Sequence, residues 1–482
     1  MVDQAPHMSA EDFRRYGHQM IDWVADYWAG LADHSVLAQV SPGEIASRLP
    51  AQAPQTGDTF PDLAGDLTDL VLPGLTHWQH PRFFAYFPAN TSGPSVLADL
   101  VCAGIGVQGM LWATGPACTE LETVMLDWLA DLLGLPAAFR SSGAGGGVIQ
   151  DSASSATLVA TLTALHRASA GQWRYDGVDR RYTVYTSTQG HSSIEKATRL
   201  AGLGDRAQRL VEVDDRLAMR PAALRAALQA DREAGLVPAL VVATIGTTST
   251  TAVDPLPDIG AICREFGVWL HVDAAYAGAS AVCPELRWAH AGMELADSYC
   301  FDPHKWLLTG FDCDAFWVAD RAELIQALSV LPEYLRNAAT ESGAVIDYRD
   351  WQVPLGRRFR ALKLWFVLRW YGAEGLRAHI RSGIELAREF AAWLDADPRF
   401  EIVAPHPFSL VCFRLRGDDA EADERNARLL QLINDSGQAY LTHTKVRDRY
   451  VLRLAVGAPQ TTLADLRQTW HLIQSSAQAL LG

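Results

Sequence analysis

Between about residues 140 and 320 the chain repeats one pattern: a short apolar run, a cluster of small or polar residues, then a longer stretch with apolar positions at helical spacing. The apolar runs include Val148-Ile149-Gln150, Thr183 to Ser187, Val241 to Thr248, Val268 to Val272 and Asp297 to Phe301. Their alternation with helical stretches predicts βαβ units on a mostly parallel sheet. Ahead of this block, Ser9 and Asp12 have the spacing of a capping box, and Phe13, Tyr16, Met20, Trp23, Val24 and Tyr27 follow at helical intervals. So large an apolar face on one early helix requires a partner surface. A second amphipathic helix is predicted through Leu121, Val124, Met125, Trp128, Leu129 and Leu132, stopping at Gly134 to Pro136. From about residue 366 helices interleave with the strands Leu410 to Phe413 and Tyr450 to Leu454, which reads as a smaller α/β lobe. The expected organisation is an α/β protein with an N-terminal helical segment over 1–90, a large α/β domain over 91–365 and a small C-terminal α/β domain over 366–482.

Candidate chemistry collects where the apolar runs end. Asp302-Pro303-His304-Lys305-Trp306 follows the Asp297 to Phe301 run and sets a lysine where the chain enters the interior. Such a lysine is either a covalent anchor for the aldehyde of pyridoxal phosphate (PLP), its pKa lowered by burial and neighbours, or a side chain reaching back to the surface. Asp273-Ala274-Ala275 ends the Val268 to Val272 run. A carboxylate at that edge can keep a pyridine nitrogen protonated, or simply cap the next helix; the small Ala275 leaves room for a flat ring. Asp151 to Thr157 opens an apolar helix whose free N–H groups, with the Ser154 hydroxyl, suit a phosphate as well as an ordinary serine-rich cap, although Asp151 is an awkward neighbour for an anion. His191 leaves the Thr183 to Ser187 run beside a helix start, where an imidazole can stack on a ring and handle protons, and Thr248 is delivered to the same edge.

Taken together these motifs resemble the PLP-dependent group II amino-acid decarboxylases, and within them the aromatic-L-amino-acid decarboxylases. The likeness runs nearly end to end. It includes Thr76-His77-Trp78, Phe83 to Pro88, Pro116 to Glu122, Asp302 to Trp306 and Pro354 to Arg360. It implies the PLP-dependent transferase fold (fold type I), with the large domain binding PLP, and a homodimer that packs the N-terminal helix across a two-fold axis and builds each site from two chains. It makes Lys305 the residue that binds PLP covalently, Asp273 the partner of the pyridine nitrogen and His191 the residue stacked on the ring. Ala153, Ser154, Thr248, Asp302 and His304 fall around the phosphate and ring, with Ala275 beneath it. Trp78, Tyr86, Phe87 and Pro88 match the substrate pocket, and Tyr334 matches a catalytic tyrosine on a mobile loop, here followed by the small and polar stretch Asn337 to Gly343. There are departures: Asp302 stands for an asparagine, Ala89 for a threonine, and Gln108 and Met110 for an isoleucine and a phenylalanine. They bear on substrate preference and leave the chemistry alone.

The implied reaction is decarboxylation of tryptophan, tyrosine, phenylalanine or hydroxylated forms to the amine and CO2. Its rivals are an aldehyde synthase, a glutamate decarboxylase and a PLP-binding protein without turnover. Arg82 is the one cation near the pocket motifs, and it is expected at the surface.

Composition narrows the partners. With 482 residues, 49% hydrophobic and 20% charged, the chain can bury a large core, and 41 basic against 56 acidic residues give a net charge of −15. That disfavours nucleic acid and anionic membranes as partners. No stretch is long and apolar enough to span a bilayer, and Met1 to Gln4 opens without a basic region or apolar signal core, so a cytoplasmic protein is expected. Seven cysteines without a CxxC pair argue against a disulfide framework and against a zinc site, and no metal is expected.

Overall fold

The computed structural model describes residues 7–179, 181–330, 345–417 and 419–481. The apolar runs of the central block become strands β1 (Gly146–Gln150), β2 (Tyr182–Ser187), β3 (Gln208–Val211), β4 (Val237–Thr244), β5 (Trp269–Asp273), β6 (Ser298–Phe301) and β7 (Asp314–Val318). They form a single sheet in the order β1-β7-β6-β5-β4-β2-β3. Its pairings from β6 to β3 are parallel, and β7 is antiparallel to both neighbours. The runs are apolar at successive positions because both faces are covered. Val241 enters a core with Met125, Leu126 and Leu129 of the helix Pro116–Leu133, while the next residue, Val242, enters one with Ala156, Val159 and Ala160 of the helix Ala153–Ala168. β4 stops at Thr244, so Thr248 is carried by the turn beyond the strand and not by the strand itself.

A second, antiparallel sheet is built from β8 (Phe400–Ile402), β9 (Leu410–Leu415), β10 (Thr442–Val446) and β11 (Arg449–Ala455), in the order β10-β11-β9-β8. Phe400, Phe413 and Trp470 centre its core. The helix Ala361–Ala396, broken at Gly372 (φ 61°, ψ 177°), packs on helices of the first sheet and on the second.

At the N-terminus the capping pattern is realised: Ser9 Oγ accepts from Asp12 N–H at 3.0 Å and donates to the Asp12 carboxylate at 2.8 Å. The helix Ala10–Gly30 that follows has no buried residue. Its Phe13, Tyr16, Met20 and Val24, with Leu97 and Leu100, border an apolar groove of about 490 Å³. Among the described residues no helix is long and apolar enough to cross a membrane, and all seven cysteines are buried and unpaired.

Two of the long sequence motifs meet behind β1. Arg357 Nη2 lies 2.7 Å from Glu122 Oε1, both side chains being almost wholly buried. Glu122 also accepts from Ile149 N–H at 2.8 Å, and Arg357 donates to Ile149 O at 2.9 Å and to Gln352 Oε1 at 2.9 Å. The Gly143 to Gly147 run serves the same corner, since a side chain at Gly145 would collide with the carbonyls of Ala138 and Val318. Arg357→Ala would leave the Glu122 carboxylate buried without its cation, and a loss of about 3–5 kcal/mol is expected. A denaturant midpoint equal to that of the parent protein would contradict this.

Candidate active site

The parallel strands all deliver their carboxyl ends to one edge. β5 ends in Asp273, β6 runs into Asp302 and the single turn Pro303–Trp306 that carries Lys305, and β2 leads to His191 at the head of the helix Ser192–Leu200. β1 leads to the helix Ala153–Ala168, whose N-cap residue Ser152 makes no side-chain capping bond. Between them lies a cavity of about 220 Å³, bordered by Ala153, Ser154, His191, Thr248, Asp273 and Ala275, by Asp302, His304 and Lys305, and by Phe87. In the single chain Ser154, His191 and Thr248 are exposed at its mouth.

Charge is arranged around the lysine. Lys305 Nζ sits 2.6 Å from Asp302 Oδ2. Asp302 is 1% exposed, and its other oxygen accepts from Ala153 N–H at 3.1 Å. Asp302 therefore ties the lysine turn to the phosphate-type helix start. The lowered lysine pKa expected from sequence is not what the site produces. Burial does pull Lys305 down, but Asp302, with Asp273 and Asp314 further off, outweighs it and holds the amine above its usual value. Asp302 is itself raised by burial and lowered more strongly by Lys305 and His304, so it stays ionised. Asp314, fully buried on β7, is pushed far up by burial and by the Asp302 charge. Without cofactor, Lys305 is an ammonium ion that must lose its proton before it can bond to an aldehyde.

His191 is held neutral. Desolvation lowers its pKa, Asp273 opposes this and Lys305 adds to the fall. Its Nδ1 accepts from Ser193 N–H at 3.1 Å, which puts the ring proton on Nε2. Asp273 accepts from Ala275 N–H at 3.0 Å, the local cap that the sequence also allowed. Asp151 is engaged by the Ser152 hydroxyl at 2.9 Å and does not border the cavity.

Aromatic rings close one side. Phe87 stacks on Tyr276 at 3.7 Å, and Tyr276 on Trp306 at 4.7 Å. Tyr86 takes a left-handed backbone (φ 50°), which lets Phe87 turn inward while Tyr86 stays 49% exposed and stacks on Trp78 at 5.6 Å. Pro88 is buried under Gly457, and Ala89 O accepts from the Gln79 amide. Neither borders the cavity, nor do Trp78, Tyr86, Gln108 and Met110. Gln108 is instead bonded to Arg357 N–H, and Met110 O accepts from Arg349 N–H at 3.2 Å. Arg82 is not the surface residue expected: its side chain is 17% exposed, and it donates to Gln438 O at 2.7 Å and Gln468 Oε1 at 2.9 Å, facing the small lobe. Tyr334 and the stretch Asn337 to Gly343 lie outside the described residues.

The sequence reading passed over Ser152, Gly246, Tyr276 and Phe311, which also border the cavity. Gly246 carried a signal, because a strand followed by glycine marks close backbone approach; here φ is +82° and a side chain would meet Ala277. Nothing in the local sequence marks Asp314, which reads as an ordinary strand residue.

This donor set fits PLP. Lysine, carboxylate and imidazole surround a space large enough for a small ring, and the start of the helix Ala153–Ala168, which Ser152 does not cap, with the hydroxyl residues Ser154 and Thr248 on the border, supplies donors of the kind a phosphate takes. The comparisons agree. Residues 42–416 match the pyridoxal-dependent decarboxylase conserved domain. The chain is 46% identical to an aromatic-L-amino-acid decarboxylase of Mus musculus over 482 residues, covering 98% of this chain and 99% of that protein. It is also 46% identical to a phenylacetaldehyde synthase of Arabidopsis thaliana, covering 98% and 97%. A crystal structure of Oryza sativa TDC with PLP and tryptamine superposes with a TM-score of 0.96 at 41% identity, covering 99% of this chain and 100% of that one. The chain belongs to the pyridoxal-dependent decarboxylase family and is a PLP-dependent carboxy-lyase.

Proposed function

We propose that the chain converts aromatic L-amino acids to the corresponding amine and CO2, and that Lys305, Asp273, His191 and Tyr334 carry the reaction. The observation that carries the substrate class is the pair Phe87 and Tyr276, which border the cavity as an apolar aromatic wall backed by the buried Trp306, a surface of the kind an aromatic side chain packs against. The names of the mouse relative and of the rice ligand, tryptamine, are of the same class. Among the described residues bordering the cavity, Lys305 is the only Lys or Arg, and it is paired with Asp302, so an acidic side chain finds no free cation there.

When bound, PLP supplies an electron sink for the pair released as the bond from Cα to the carboxylate breaks. Lys305 would hold the cofactor covalently, Asp273 would keep its ring nitrogen protonated, and Ala153, Ser154, Thr248 and His304 would surround its phosphate. His191 would lie on the ring, with its Nε2 proton directed away from Ser193. Proton return to Cα would come from Tyr334 or His191. Phe87 and Ala275, apolar residues on the border of the cavity, would help to exclude water from it.

We also infer a homodimer, because the N-terminal helix leaves an apolar groove of about 490 Å³ uncovered and the cavity mouth stays open in one chain. Trp78, Tyr86, Gln108 and Met110, which do not border the cavity within one chain, would then help to complete the substrate end in the dimer. Sedimentation should give twice the mass of one chain; a monomer with full activity would end this reading.

The Arabidopsis relative is named for an aldehyde product, so product identity has to be scored along with rate. A panel of L-amino acids, each assayed for CO2, amine, aldehyde and peroxide, should give amine and CO2 in equal amounts from an aromatic substrate. Faster turnover of glutamate than of every aromatic acid would overturn the substrate class, and aldehyde with peroxide in place of amine would overturn the reaction.

A further inference from the structure

One buried cation lies behind the cavity without bordering it. Arg453, on β11, is 4% exposed, and among the described residues no carboxylate is paired with it. Its guanidinium is satisfied by the backbone: Nη2 donates to Thr248 O at 2.7 Å and to Tyr86 O at 3.4 Å, and Nε donates to Ser249 O at 3.1 Å. Nη1 donates to Thr442 Oγ1 at 2.9 Å, and the guanidinium carbon stands 5.3 Å from the centre of the Phe87 ring. Thr442 Oγ1 also accepts from Tyr86 N–H at 3.2 Å.

These contacts converge on two walls of one cavity. Thr248 and Phe87 both border it, and Tyr86, the residue before Phe87, has the left-handed backbone that turns Phe87 inward. The turn carrying Thr248 and the Tyr86–Phe87 segment come from different parts of the chain, so something must fix the gap between them. Arg453 reaches both at once from the small lobe. A planar group with five donors can span these acceptors and still lie against a ring, which an ammonium cannot do. Burial of an arginine without a counter-ion opposes its charge and lowers its pKa, and the carbonyls of Thr248, Ser249 and Tyr86, the Thr442 hydroxyl and the Phe87 ring are the contacts that offset the lost hydration.

We propose that Arg453 is a positioning residue that sets the distance between the Thr248 turn and the Phe87 wall, and so governs both PLP retention and the binding of the substrate's side chain. It touches neither molecule. The inference rests on the reading of this cavity as the PLP site.

The test uses the full chain with Arg453→Lys, and with Thr442→Val as a milder variant that keeps the arginine but removes one acceptor. Circular dichroism and thermal melting establish folding, PLP affinity is measured by absorbance titration of the apoenzyme, and kcat and KM are measured on the best aromatic substrate. Arg453→Lys should raise the PLP Kd at least tenfold and KM at least fivefold, with kcat changed by less than threefold; Thr442→Val should move Kd and KM in the same direction by about threefold. A purely structural brace would lower the melting temperature and leave Kd and KM of the folded protein alone. A folded Arg453→Lys protein with Kd within twofold of the parent, or a fall in kcat at constant KM, overturns the proposal. If Arg453→Lys does not fold, Thr442→Val decides: constants within twofold overturn it. A parent protein that binds PLP but is inactive on all aromatic acids would count against the proposed substrate and not against this role, because the titration needs no substrate.

Discussion

Lys305→Ala is expected to reduce amine formation by at least about 10³-fold, the order of loss that follows removal of a covalent anchor. The variant loses more than a bond. Asp302, 1% exposed and 2.6 Å from the missing ammonium, is left beside the buried Asp314 with no close lysine to hold its charge. Its pKa should rise, and the tie from Asp302 to Ala153 N–H at the helix start should weaken as the carboxylate takes up a proton. PLP affinity should therefore fall by more than the loss of the covalent link alone. Turnover within tenfold of the parent would remove Lys305 from the reaction.

Asp273→Asn is expected to keep the fold and much of the bound PLP but to lower kcat by about 10²-fold or more, since an amide cannot stabilise a protonated ring nitrogen as a carboxylate does. Geometry favours a clean reading. Asp273 lies at the end of a strand whose neighbours on both sides are parallel and buried, and its hydrogen bond from Ala275 N–H can be kept by the amide oxygen. The check is kcat beside the visible absorbance of bound cofactor. Normal kcat in a fully loaded variant would mean that the ring nitrogen needs no acidic partner.

Much of the site was legible in sequence because its chemistry sits at the ends of runs that could only be buried strands. Asp273, Lys305 and His191 each follow such a run, and the parallel sheet brings all three to one edge. What sequence could not give was set by contacts between distant segments. The pKa of Lys305 was expected to fall, because burial was visible in the motif while the carboxylates Asp302, Asp273 and Asp314 that outweigh it were not; their gathering depends in part on β6 and β7 pairing antiparallel side by side. Arg82 was expected at the surface because the small lobe that covers it lies more than 350 residues further along. Arg453 escaped notice for a related reason. On an apolar strand it reads as one charged residue among hydrophobic ones, and its partners Tyr86 and Thr248 are remote in the chain.

The most direct test of the central claim is where PLP attaches. Reduction of the holoenzyme with borohydride, followed by peptide mapping, should place a single pyridoxyl group on Lys305. A label on Lys196, Lys363 or Lys445, or no label in a fully active enzyme, would contradict it.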